Sequence, residues 1–578
     1  MAPILGLALS ILPYLLLSSA HYIAPADVEP RSTVYPWEVA TKCRCFPGDK
    51  CWPKENVWQQ FNKTVDGALI RTQPLASPCH DPNYDEAKCN QLKQQWRGPD
   101  IHLRDPASPM AAYFAKASCD PFLPRNSPCN IGAYVQYSVK AANAKDVSET
   151  IKFANRHNIR IVIRNSAHDY LGRSTGAGAI AIWTHHMTDI EIKNYESKQY
   201  KGKAIKVAAG VQLGAAYKAA ADQKHFVVGG HCPTVGYAGG YTQGGGHGAM
   251  TSSYGLAADQ TLEFEVVDGR GRILRASRKE NTELYWALSG GGGGTFGVVT
   301  SMTSRIHPDR PVTHANITFP ARQVADGPFY EIVSASHAIL PTLGEKGVTA
   351  VNFMGRTNFM LMMTTPEISY KELTDLLAPL RKKFEDLKVP YSYGGFESPS
   401  YAAETAIPGP GAPVGSTMGG WFIPRKLIDE NNEGLTKAVK FIFENGGGMG
   451  NIVVNASRGV PEDTYNAVSP HWRNAIVMTA LSVPYNHTAS LAENEARQKR
   501  MTDVIVPALS KLAPDAGAYL NEADFRQPNF QDVFYGSTYK KLNSVKNKYD
   551  PDHTFYGATN VGSEYWTEQS DGRLCRAK

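Results

Sequence analysis

The sequence predicts an α+β protein of two or three domains, on three observations. The chain has 578 residues, too many for one hydrophobic core. Short β-rich runs alternate with amphipathic helical stretches from about residue 131 onward. Glycine runs sit directly beside those β-rich runs, as in a fold that brings its backbone against a large ligand.

The elements follow in order. Leu5 to Leu17 is an apolar run followed by small residues Ser18-Ser19-Ala20, the pattern of a secretory signal over 1–20. It is too short to span a bilayer comfortably, and no later stretch reaches the ~20 apolar residues required. Residues 21–130 are rich in Cys and Pro and read as a loop-rich, stapled cap, with a short helix near Val57–Phe61.

Residues 131–308 read as an α+β domain. Val147, Ile151 and Ala154 mark one face of a helix over Asp146–His157. Strands are expected at Ile159–Ile163, Ile180–Trp183, Ala204–Ala208 and Phe226–Val228, with a helix at Leu213–Ala221. Leu262–Val267 enters a hairpin at Asp268-Gly269. A short helix at Glu283–Leu288, five glycines and a strand at Phe296–Thr300 complete the domain.

Residues 309–510 form a second α+β unit with strands at Ala350–Met354 and Asn451–Val454. Leu373, Leu376, Leu377, Leu380, Phe384 and Leu387 form one stripe of a helix over Tyr370–Leu387, a core stripe. Residues 511–578 carry a helix over Tyr539–Tyr549, stopped at Asp550-Pro551.

Hydrophobic residues make up 42% and charged residues 20%, the balance of a globular protein. The net charge of +6 carries no concentrated Lys/Arg run, which excludes a surface built to grip nucleic acid. Sequons at Asn62, Asn316, Asn455 and Asn486 agree with a secreted glycoprotein. So do nine cysteines, eight of them in the first quarter or at the far end. Eight allow four disulfides in 105 connectivities. The ninth, Cys232, stands alone in mid-chain and is nominated for other chemistry. Cys43-Arg44-Cys45 lacks the paired spacing of a structural zinc site, so no metal is expected.

Two segments carry the chemistry. Arg164 to Gly178 follows a strand with a turn of small residues around His168, a place where backbone N–H groups approach a phosphate. Gly229 to Gly248 holds nine glycines in 20 residues around Cys232. A flexible linker would be polar and Ser-rich, whereas this run carries Cys, Val, Tyr and Pro. Neither segment is a Rossmann fingerprint or a P-loop, so a bound nucleotide belongs to another fold.

On these residues the chain resembles the FAD-linked oxidases of the vanillyl-alcohol oxidase superfamily, in the berberine-bridge-enzyme-like group. The nearest pattern is that of fungal secreted isoamyl-alcohol-oxidase and hydroxynicotine-oxidase types. The family's His turn is similar to Arg164-Asn165-Ser166-Ala167-His168-Asp169-Tyr170, and its Cys segment to Gly230-His231-Cys232-Pro233-Thr234-Val235-Gly236. Gly290–Val299, Tyr519-Leu520-Asn521 and Tyr549-Asp550-Pro551 match further segments.

The resemblance implies a PCMH-type FAD-binding domain of two subdomains at 131–308. It adds an α+β substrate domain at 309–510, with an antiparallel sheet covered by helices, and a C-terminal segment at 511–578 that returns to the FAD domain. It implies FAD bound covalently through His168 and Cys232, a pair of links that raises the flavin's redox potential. Arg164, Asn165, Ser166, Ala167, Ser174, Val235, Gly236, Gly246, Gly248, Val299 and Asn521 would line the cofactor. Val235, three after the Cys, would leave O2 access to the flavin open, making the enzyme an oxidase that yields H2O2.

Two departures stand out. Ser166-Ala167 replaces a Gly-Gly or Thr-Gly pair, which strains Ala167 if the turn needs φ > 0. The catalytic carboxylate that berberine bridge enzymes carry on a strand after an Arg has no counterpart between Arg473 and Tyr485. Tyr519 is the first choice of base, given a pKa lowered by a nearby cation or helix terminus, with His231 and His247 as alternatives. The expected enzyme is a secreted monomer acting on an alcohol, an amine or a secondary-metabolite intermediate. The alternatives are a carbohydrate oxidase, or a non-catalytic disulfide-rich glycoprotein with vestigial flavin.

Overall fold

The computed structural model describes residues 42–405 and 415–577. The expected signal over 1–20 lies outside the described residues. Three sheets organise the rest. The first has the order Leu69–Arg71, Tyr137–Lys140, Ala179–Trp183, Arg160–Arg164; the last three are parallel and the first is antiparallel to its neighbour. Burial on both faces explains the continuous apolar runs that marked Ile180–Trp183 and Ile159–Ile163 in sequence. Helix Ala144–Arg156 packs Val147, Ile151 and Ala154 into this core. It starts where the Asn143 side chain accepts the backbone N–H groups of Lys145 and Asp146.

The N-terminal segment departs from the expected separate cap. It donates strand Leu69–Arg71 to the first sheet, with Leu69 opposite Val139. Helix Glu55–Thr64 stacks Trp58 on Tyr137 at 4.1 Å and Phe61 on Phe153 at 4.0 Å. Aromatic burial of this size outweighs the loop-like composition around it.

The second sheet is antiparallel, in the order Ile190–Glu196, Lys201–Ala208, Val298–Arg305, Thr261–Val267, Ile273–Ser277. The hairpin at Asp268 forms, its carboxylate accepting from the backbone N–H groups of Arg270 and Arg272. The expected strand at Phe226–Val228 shrinks to His225–Phe226, paired with His307–Pro308.

The third sheet has seven antiparallel strands, in the order Ser392–Ser398, Val312–Phe319, Phe359–Thr365, Thr349–Met354, Gly448–Val453, Ala475–Pro484, Ser416–Pro424. Helices Asp326–Glu345 and Arg425–Glu444 pack on one face of it. The single helix expected over Tyr370–Leu387 is two, Tyr370–Leu376 and Ala378–Asp386. Pro379 lacks the N–H that a continuous helix would use there, so the chain breaks at Leu377 and restarts with Pro in its first turn. The stripe is core as expected: Leu373, Leu377, Leu380 and Phe384 are fully buried.

The C-terminal segment returns to the first domain. Phe555 bridges to Ile161 in parallel. On helix Tyr539–Tyr549, the buried Lys546 ammonium donates to Asp550 at 2.6 Å, to Thr295 O at 2.8 Å and to Phe555 O at 2.9 Å. A buried ammonium is tolerable only with partners of this kind. Four disulfides join Cys43–Cys575, Cys45–Cys51, Cys79–Cys89 and Cys119–Cys129, and Cys232 is free. Among the described residues no helix is long and apolar enough to cross a membrane.

Candidate active site

The turn after strand Arg160–Arg164 and the glycine-rich segment meet across one hydrogen-bond frame. Ser166 Oγ accepts the backbone N–H of Gly236 at 3.0 Å. The Asn165 amide donates to Ala209 O at 2.6 Å, while its Oδ1 is buried with no protein partner among the described residues. A Cβ at Gly236 would lie 2.5 Å from the Asn165 amide nitrogen, so only glycine permits this approach.

His168 and Cys232 are brought to one hydroxyl. His168 Nε2 lies 2.8 Å from Thr234 Oγ1, and Cys232 Sγ lies 3.4 Å from the same atom. Burial pulls the His168 pKa down to about 4, so its ring is neutral near pH 7. Asp169 closes the turn, accepting from the backbone N–H of Leu171 and from both the N–H and the hydroxyl of Ser174.

These groups border a cavity of about 610 Å³, in the range of ligand and cofactor sites. Asn165, Ser166, Ala167, His168, Ser174, Cys232, Val235, Gly236, Val299, Tyr519 and Asn521 line it. Three expected lining residues do not. Arg164 is buried elsewhere, its guanidinium donating to the carbonyls of His102, Asp105 and Ser108 at 2.7–2.9 Å. Gly246 and Gly248 lie behind the wall. A Cβ on Gly248 would collide with the Gly229 carbonyl, so that glycine serves a backbone crossing rather than the ligand.

Ala167 sits at φ +56°, so the strain expected of an alanine in this turn is present.

The requirement placed on Tyr519 is not met. It needed a lowered pKa, but burial and the neighbouring Glu522 push it well up. Its hydroxyl accepts the Asn521 amide N–H at 2.8 Å, and Asn521 also donates to Gly240 O at 2.7 Å. Tyr519 packs edge-on against Trp472 and His247, with centroids 5.0 and 5.4 Å away.

The far wall is a sheet face missed in sequence. Val351, Phe353, Met362, Met418, Ile452, Ala480 and Ser482 line the cavity from the seven-stranded sheet. Val351 stands opposite both Met362 and Ile452, and Met418 opposite Ser482. Phe359–Thr365 is apolar over its first five residues, so its period-2 burial shows only in the folded sheet and left no signal in the sequence. On strand Ala475–Pro484 the cavity-facing side chains are Ala480 and Ser482, so no carboxylate comes from it. Arg473 instead holds buried Asp259 at 2.6 and 3.0 Å.

Three more wall residues also escaped the sequence reading. Glu522 accepts from His247 Nε2 at 3.2 Å. Arg173 donates to Ala558 O at 3.0 Å and Thr559 Oγ1 at 2.9 Å, both neutral acceptors. Tyr556 borders the same space from the C-terminal segment.

The fold and this cavity define a flavin-dependent oxidoreductase, and comparison with known proteins agrees. Residues 135–277 match the family model "FAD binding domain", and residues 518–562 match "Berberine and berberine like". The FAD-linked oxidoreductase patO of Aspergillus clavatus is 46% identical over 544 residues, covering 93% of this chain and 95% of its own. The crystal structure of the VAO-type flavoprotein MtVAO615 from Myceliophthora thermophila C1 superposes with a TM-score of 0.88 at 38% identity. It covers 93% of this chain and 100% of its own. Glucooligosaccharide oxidase from Acremonium strictum, described with a 6-S-cysteinyl, 8α-N1-histidyl FAD, shares the fold with a TM-score of 0.60. Its identity is 18%, with coverage of 74% and 92%. The chain belongs to the FAD-linked oxidoreductases of the vanillyl-alcohol-oxidase type that carry a berberine-like C-terminal module.

Proposed function

We propose that this protein is a secreted oxidase that holds FAD covalently through His168 and Cys232. It removes a hydride from an apolar, medium-sized organic substrate and passes the electrons to O2, giving H2O2. The observation that carries the reading is the single cavity bordered by the His168–Thr234–Cys232 frame on one side and an apolar sheet face on the other.

The residues fit FAD. The buried, unpartnered Asn165 Oδ1 offers an acceptor to a bound ring system. Arg173 places a buried positive charge in the wall with only neutral hydrogen-bond partners, which suits a diphosphate. When bound, the flavin supplies the hydride acceptor. The neutral His168 ring keeps a nitrogen lone pair for bonding to carbon, and Thr234 orients that ring and the Cys232 thiol together. Asp169 and Ser174 fix the turn. Asn521 ties Tyr519 to the glycine-rich segment, so the Tyr519 hydroxyl marks one edge of the substrate space. Val235 is compact and leaves space for O2 at the wall.

The methionine-lined face favours an alcohol or secondary-metabolite intermediate over a sugar, because a sugar's hydroxyls would lose water there without replacement partners. Secretion is supported by the four disulfides, which persist in oxidising compartments.

The test is direct. Acid-precipitated protein should stay yellow, and H168A should weaken that colour. An apolar alcohol should bleach the flavin under argon and release H2O2 in air, where oligosaccharides do not. Flavin that washes out of the wild-type protein sinks the covalent attachment. Bleaching by sugars alone would turn the reading to a carbohydrate oxidase. A colourless protein would indicate a non-catalytic glycoprotein.

A further inference from the structure

We propose that Glu522, held by His247, is the group that takes the proton from the substrate. The inference rests on the oxidase reading above and adds the missing base to it.

Among the described residues two carboxylates border the cavity, Asp169 and Glu522. Asp169 is occupied by three donors within its own turn. Among the described residues the Glu522 carboxylate makes one hydrogen bond, accepting from His247 Nε2 at 3.2 Å, and its side chain is 25% exposed. A carboxylate with free lone pairs facing a ligand space can accept a proton; one saturated by backbone donors cannot do so without breaking its turn.

The other titratable groups around Glu522 are Tyr170, His231, Tyr241, His247 and Tyr519. The three tyrosines are pushed up by burial and stay protonated. His231 is pulled down to about 4 by the protein packed around it. His247 must carry its proton on Nε2 to donate to Glu522. Its Nδ1 is buried without a hydrogen-bond partner among the described residues. The ring is therefore a fixed donor that orients the carboxylate, a positioning residue. Glu522 belongs to the C-terminal segment, three residues after Tyr519, and supplies to the cavity a carboxylate that strand Ala475–Pro484 does not.

In the step assigned, the substrate O–H bond breaks and its proton passes to Glu522, which becomes a carboxylic acid. The adjacent C–H bond breaks, and its electron pair leaves as hydride to the acceptor that a bound flavin would supply. A C=O bond forms. The substrate is oxidised by two electrons, which a bound flavin would accept and O2 would then take up, giving H2O2. Glu522 returns its proton to water.

The experiment compares wild type, E522Q, E522D and H247Q as FAD-loaded proteins. Anaerobic bleaching by an alcohol that bleaches wild type is expected to slow about 10²–10⁴-fold in E522Q. E522D should recover part of the rate, and H247Q should slow it less. Dithionite reduction and reoxidation by O2 should be unchanged. Independently of turnover, a non-reacting alcohol bound in the cavity should shift a carboxylate infrared band in the wild-type protein, through its hydroxyl donating to Glu522, and should shift none in E522Q. Bleaching of E522Q at the wild-type rate, or the same band shift in E522Q, overturns the assignment to Glu522 while leaving the oxidase reading intact. A wild-type flavin that no donor bleaches overturns the oxidase reading itself.

Discussion

Ala167 holds a left-handed backbone conformation, φ +56°, between the hydrogen-bonded Ser166 and His168. An L-residue with a Cβ is strained there, and glycine is not. A167G should therefore stabilise the folded protein by up to about 1 kcal/mol, the strain relieved less the added unfolded-state entropy. Thermal unfolding of the FAD-loaded protein checks this, and a lower melting temperature would show that the methyl group packs usefully against Leu103 and Met110. At this scale the sequence was informative about identity and poor about direction. His168, Cys232 and Ser166 do border the cavity, whereas Arg164 turns away to three carbonyls. Residue type and chain position cannot show on which side of a strand end a long side chain leaves. Glu522 escaped for a related reason: it sits beside a recognised segment, and only folding brings His247 to it.

At the scale of elements, the decisive one is the open face of the seven-stranded sheet. Strand alternation sends Val351, Met362 and Ile452 to one side in register, while the opposite side meets helices. M362D and I452D should raise the KM for an apolar donor at least about tenfold, since each places an unpaired charge against the substrate. The flavin should remain covalently attached, because both residues belong to the seven-stranded sheet and not to the His168 turn or the Cys232 segment. Loss of the yellow colour from these variants would show that the face supports the cofactor instead. Helices and buried strands were legible from apolar periodicity. The division at Leu377 was not read, although Pro379 announced it. The contribution of Leu69–Arg71 was hidden because three residues carry no detectable period, and their partner lies 70 residues away.

The whole molecule buries histidines in neutral form. His102, His307 and His337 are each pulled from 6.5 to about 4 by desolvation. The folded state therefore resists their protonation, whereas the unfolded chain takes up protons near 6.5. Their contribution to stability is complete above about pH 6.5 and falls as the pH drops from there toward 4. The melting temperature should decline over that window. His337 is fully buried with neither nitrogen hydrogen-bonded among the described residues, so H337L should make the decline shallower. An identical slope in H337L would place the acid sensitivity elsewhere. The cysteine count gave four disulfides and one free thiol correctly, but not the pairing, which depends on the return of the C-terminal segment. Removing the Cys43–Cys575 link by C43S/C575S should cost about 2–5 kcal/mol, measured by denaturant unfolding.

The same link spans 532 residues and makes almost the whole described chain one closed ring. A protease that cuts a surface loop anywhere inside that ring opens it without releasing a piece. The nicked protein would run at full mass on a gel until thiol is added, and only then separate into fragments. If the enzyme is secreted as proposed, a single protease cut would be a scar rather than a loss, with both halves of the flavin cavity still fastened to each other.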